Sequence, residues 1–245
     1  MVWLWICILW SIGPTYAQDT KEQHQPAHDM STSDHVSHTL SPGGSGAWEG
    51  SAEGIAYSEF NHHLAGGLVI LMGLAELAQA GRWRSLAWTK RLLPASLIAI
   101  SLFLLIWSDH DAWPIGQLTF GETFFGHDAE ILQHKSFGLL LLIIGVMEFL
   151  RRSGYLVHWG WSVPLPLLAG VAGVILFGHT HGAHPSAHQI AIHHAAMGTL
   201  AIVAGSSKLL SGWMHSVSVL RPGTWDWIWA GLIVALGFQL LLYSE

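Results

Sequence analysis

Three histidines occupy one place in a recurring pattern: His, Gly four residues on, Gly seven beyond that, and a charged residue three further. The copies are His62, Gly66, Gly73, Glu76; His134, Gly138, Gly145, Glu148; and His194, Gly198, Gly205, Lys208. At 100° per residue the four positions fall within ~80° of one helix face. If the three helices converge, three imidazoles point at one locus, the ligand set used for zinc or copper with an open fourth position. Further donors stand close by in the sequence: His63, Asp109, His110, Asp111, His127, Asp128, His179, His181, His184, His188 and His193. Carboxylates among them can fix imidazole tautomers. The plainer alternatives are histidines placed at a membrane interface and glycines that serve packing alone.

The far end of the pattern carries Glu76, Glu148 and Lys208, about 21 Å from the histidines along a helix. Charges at that depth need partners. A Glu/Glu/Lys ion cluster is the economical expectation, and an ion or proton path to the histidine locus the functional one. Leu, Ile, Val and Gly dominate the stretch between, which favours the cluster.

These positions need long helices to hold them, and the composition supplies them. Of 245 residues, 51% are hydrophobic and 11% charged, with 10 Lys+Arg against 16 Asp+Glu. That argues against a soluble enzyme, and a net charge of -6 without a basic patch argues against nucleic-acid binding. Six apolar spans are expected near 62–80, 91–107, 132–150, 163–178, 189–209 and 225–243, each close to the ~20 residues a membrane helix requires. Even-numbered spans start near prolines (Pro94; Pro164 and Pro166), the first two ending in Asp109-His110-Asp111 and His179-Thr180-His181. The expected fold is therefore an all-α integral membrane protein of six helices, built as three helical hairpins in a pseudo-threefold bundle, with the odd helices meeting near the axis.

Lys and Arg set the orientation. Arg82, Arg84, Lys90 and Arg91 follow the first span, Arg151 and Arg152 the third, and Lys208 and Arg221 the fifth, so these connections are expected in the cytoplasm and both mature termini outside. Fifteen of the 17 histidines then lie in the exported tail or toward the outer face; His158 and His215 do not. Residues 1–17 read as a signal peptide with small residues before Gln18, an uncleaved anchor being the alternative since no Lys or Arg precedes the apolar run. Residues 18–60 read as a flexible periplasmic tail carrying His24, His28, Met30, His35 and His38, and residues 61–245 as the membrane domain. The single cysteine, Cys7, lies in the leader, which excludes disulfides and thiolate metal sites downstream.

The His-His-Leu-Ala-Gly-Gly start at 62–67, the basic connection through Arg82 and Arg84, and the His/Met tail make the chain similar to the CopD-type copper-resistance integral membrane family, chiefly over the first two spans. The resemblance implies copper handling in a bacterial inner membrane: capture, delivery or transport of the ion at the outer face, with a periplasmic metal carrier or other membrane subunits as partners besides the lipid bilayer. Three other classes stay open. One is an electron-transfer protein with heme b held by two histidines such as His62 and His134. Another is a metal-dependent membrane oxidoreductase or hydrolase, and the last a structural subunit whose Trp225, Trp227 and Trp229 mark a membrane edge. Zinc is the alternative to copper.

Overall fold

A computed structural model describes residues 50–178, 186–217 and 223–245, without the side chains of Arg84 and 214–217. Signal peptide, tail to residue 49, and His179, His181 and His184 lie outside the described residues. Within them the chain is helical: α1 (Ala52–Ala80), α2 (Leu92–Ile106), a short α3 (Phe120–Phe125), α4 (Ala129–Arg152), α5 (Pro164–Leu176), α6 (Ala187–Val217) and α7 (Gly223–Leu241). Six of these elements are long and apolar enough to cross a membrane, α2 and α5 with the help of 3-10 segments that lead into them. The protein is a multi-pass membrane protein.

Local chemistry sets the boundaries. α1 begins at Ala52, not after Phe60 as composition suggested, because the Ser51 hydroxyl accepts the Gly54 N–H at 3.1 Å and Glu53 sits in the first turn, where negative charge is favoured. Its 29 residues extend ~43 Å, more than the ~30 Å apolar core of a bilayer, so its polar first turns stand clear of that core. Asp128 caps α4 by accepting the Glu130 and Ile131 N–H groups. The helix ends with Arg151 and Arg152 in its last turn and Gly154 at φ +87°, a conformation glycine adopts without penalty. Pro164 at the first position of α5 gives up only an N–H that no helix would use. Between α2 and α4, α3 carries a reciprocal cap of Thr119 and Glu122.

The six spans stand in a ring in chain order, closed by α7 against α1. Three seams are tight: α7/α1, α2/α4 and α5/α6. Each lies on glycines of the repeated pattern. A Cβ on Gly66 would come within 2.9 Å of the Gly237 carbonyl, one on Gly145 within 2.9 Å of Ile98, and one on Gly205 within 2.4 Å of the Pro166 carbonyl. Ser101 of α2 adds a hydrogen bond to the Gly138 carbonyl at 2.8 Å. The glycine faces of α1, α4 and α6 thus meet the even-numbered span that precedes each of them in the ring, instead of meeting one another at an axis. The tight pairs accordingly run across the connections at the histidine end and the chain ends, not within the hairpins expected from sequence. The reason is physical: apolar burial gives helices little drive to associate in lipid, so the closest seams form where small residues let backbones approach. The middle of the ring encloses a cavity of about 470 Å³ lined by all six spans.

Candidate functional site: the histidine end of the cavity

His62, His134 and His194 come from three spans and line this one cavity. The His62 Nδ1–H donates to the Ser58 carbonyl one turn back at 2.8 Å, which leaves the ring lone pair on Nε2. Its ring stacks on Tyr243, centroids 3.8 Å apart and planes 17° apart. His194, 3% exposed, lies on a ring plane 18° from that of Tyr243 at 6.3 Å. Tyr243, itself buried, donates through its hydroxyl to Glu245 at 2.7 Å, and Ser58 donates to the same carboxylate at 2.5 Å. Burial first, and then the Glu245 carboxylate, push the Tyr243 phenol well above its ordinary pKa, so the ring stays neutral.

His134 has a different setting. Its Nδ1–H donates to Asp109 Oδ1 at 2.6 Å, while the fully buried Lys135 pairs with Asp109 Oδ2 at 2.9 Å and donates to the Leu104 carbonyl at 3.0 Å. Ser108 Oγ lies 2.5 Å from the same carboxylate. Burial alone would push the Asp109 carboxyl up; the hydrogen bonds from His134 and Ser108 and the charges of His134 and Lys135 outweigh it and hold the group below the usual carboxylate range.

The remaining sequence candidates scatter. His63 is exposed and donates Nε2–H to the Tyr243 carbonyl at 3.0 Å. His110 pairs with Asp111 at 3.2 Å and turns an edge toward Tyr57. His193 accepts from Gln239 at 2.9 Å, and His127 and His188 are exposed. Among the described residues no three His, Cys, Asp or Glu side chains are placed to hold one metal ion. The converging tris-histidine set expected from the repeat is therefore not assembled: the Tyr243 ring neighbours both His62 and His194, and His134 is drawn to Asp109.

At the opposite end the expected ion cluster exists, but with a different centre. Arg152 binds Glu76 at 2.8 Å and Glu148 at 3.0 Å, and also donates to the Lys90 carbonyl at 3.2 Å. Arg151 engages both oxygens of Glu148, at 2.9 and 2.8 Å. Lys208 pairs with Asp226 at 3.0 Å and stands 3.7 Å from Glu76, whose other contact is the Trp229 indole N–H at 3.0 Å. Arg152 takes the bridging role expected of Lys208.

Sequence reasoning passed over Tyr243 and Lys135. A signal for Lys135 was available: a lysine inside an apolar span requires a carboxylate, and Asp109 ends the span before it. Tyr243 carried none, since one tyrosine near a chain end is ordinary. Compared with family models, with curated proteins and with solved structures, the chain matches none.

Proposed function

We propose that this protein is a metal-handling protein of a bacterial inner membrane, copper being the first candidate and zinc the second, with the ion as cargo taken up at the histidine end of the cavity. The supporting observation is the pair His62 and His134: on different spans around one cavity, each gives its Nδ1–H to an oxygen. Histidines that ligate metals are oriented this way, by a carbonyl or carboxylate on the other nitrogen. His194 supplies a third imidazole to the same cavity. In this account capture draws the rings together as Tyr243 leaves the stack, and the free state holds them apart.

The basic residues of the connections orient the histidine end outward, toward the periplasm, where the His/Met tail and a soluble metal carrier would meet it. The recurring His-Gly-Gly-charge register and its three tight seams are most simply read as a threefold internal repeat, and copper is also what the CopD-type resemblance implies. The test is Cu(I) affinity of the full chain by competition with a chromophoric chelator. One tight site lost in His62→Ala and in His134→Ala supports the proposal; affinity unchanged in both overturns it.

A further inference from the structure

The connection between α1 and α2 carries four cations, Arg82, Arg84, Lys90 and Arg91, and no Asp or Glu from Gly81 to Leu92. Arg82, Lys90 and Arg91 are exposed, and among the described residues none of the three has a carboxylate within ion-pair distance. They adjoin the charged end, where Arg152 donates to the Lys90 carbonyl, but stay outside its compensation. Gln79 of α1 donates to Thr89 Oγ1 at 2.8 Å and to the Leu86 carbonyl at 3.3 Å, which folds the 3-10 segment Arg84–Arg91 back on the last turn of α1. Both ends of the connection, and their cations, are thereby held at one place.

The turn itself is unusual. Arg82 stands at φ +53°, in the left-handed region that glycine occupies at lower cost. Backbone strain of this kind is kept where the side chain or its direction is used. Trp83 follows and lies against Gly81, where a Cβ would come within 2.9 Å of the indole. The ring so placed walls one side of a groove of about 320 Å³ between α1 and the 3-10 segment, lined also by Leu71, Leu74, Ala78, Leu86 and Leu92. Leu71, Leu74 and Trp83 are exposed, so the groove opens outward, to the bilayer. From Leu71 to the end of α1 the helix rises ~14 Å, about one leaflet's share of the ~30 Å apolar core.

An apolar groove of one leaflet's depth takes an acyl chain, and uncompensated cations at its interfacial end take a phosphate. Guanidinium forks match phosphate oxygens, and basic pockets beside membrane helices hold anionic head groups. A zwitterionic lipid answers the groove but brings no net charge to the cations. We infer that this groove binds one anionic phospholipid, a chain along α1 and the phosphate held by Arg82, Lys90 and Arg91. The site shares no residue with the histidine end and stands or falls separately from the metal reading.

The experiment titrates the full chain in mild detergent with equal amounts of phosphatidylglycerol and phosphatidylcholine of identical chains, and counts retained lipid by native mass spectrometry. One phosphatidylglycerol is expected, at about a tenfold preference over phosphatidylcholine. Arg82→Gly should lower that preference about threefold while keeping or raising the unfolding midpoint, because glycine suits the turn. Arg82→Gln, Lys90→Gln and Arg91→Gln combined should abolish it. Leu74→Trp, which fills the groove from its exposed rim, should weaken retention of both lipids; Leu71→Trp serves if that variant does not fold. Glycerol phosphate, the head without chains, should not displace the bound lipid. Uptake in no fixed ratio, equal retention of the two lipids, a preference unchanged in the triple variant, indifference of the folded rim variant, or displacement by glycerol phosphate would each overturn the inference.

Discussion

The two ends of the bundle are built on opposite plans. At the charged end three carboxylates, Glu76, Glu148 and Asp226, meet three cations, Arg151, Arg152 and Lys208, and Arg152 joins α1 to α4 while reaching the chain ahead of α2. These six charges compensate one another, and Trp229 supplies a further donor from α7. At the histidine end the contacts among the described residues are ring stacks, two histidine–carboxylate pairs and the buried cation Lys135, bordering a cavity. Full mutual compensation leaves little to offer a ligand and much to hold helices in place. Polar groups gathered beside an apolar void do the reverse. Under the proposed function, stability belongs to one end and metal capture to the other.

Arg152→Ala should break that contrast most severely. It leaves Glu76 and Glu148 buried without their bridge, and loss of one partner from such a network costs about 3–5 kcal/mol, read as a lowered unfolding midpoint in detergent. Replacing Glu76 and Glu148 by Gln in the same chain should recover part of the loss; no recovery would mean that Arg152 acts by packing alone. Next comes Gly205→Val, whose side chain meets the Pro166 carbonyl across the α5/α6 seam; overpacking of this kind costs about 1–3 kcal/mol. The same change at Gly67, where a Cβ meets nothing within 4 Å, should leave the midpoint near its original value.

The histidine end should be milder in stability. His62→Ala removes a half-buried ring and one hydrogen bond, about 1 kcal/mol, yet should abolish tight metal uptake. Acid sharpens the comparison further. Asp109 is depressed in the folded state, so its contribution is fully present above the ordinary carboxylate pKa of about 4 and disappears as pH falls through the lower folded value. Asp109→Asn should flatten this acid limb of an unfolding series, and an unaltered limb would place the acid-sensitive group elsewhere.

How much of this was legible in the residues follows from what leaves a periodic trace. Six spans did, since the bilayer demands long apolar runs whatever the packing. The approach of Glu76, Glu148 and Lys208 was legible too, because all three stand fourteen residues after a histidine. Arg152 and Asp226 left no such trace: they compensate those charges from positions outside the register. The start of α1 at Ala52 was hidden by Ser, Glu and Tyr, which a helix end accepts once it has left the apolar core. Glycine spacing revealed which face would be approached but not by which helix, since every neighbour in a ring offers a backbone. His134 was legible as a candidate, whereas its capture by Asp109 and Lys135 depends on how α2 lies against α4.

The most direct test is the metal content of the purified full chain beside His62→Ala, His134→Ala and His194→Ala, by elemental analysis with an absorption spectrum of each sample. The account predicts copper or zinc in the parent, about one equivalent less in each variant, and no Soret band. Equal metal in all four proteins would contradict it, and iron with a Soret band would transfer the histidine end to heme.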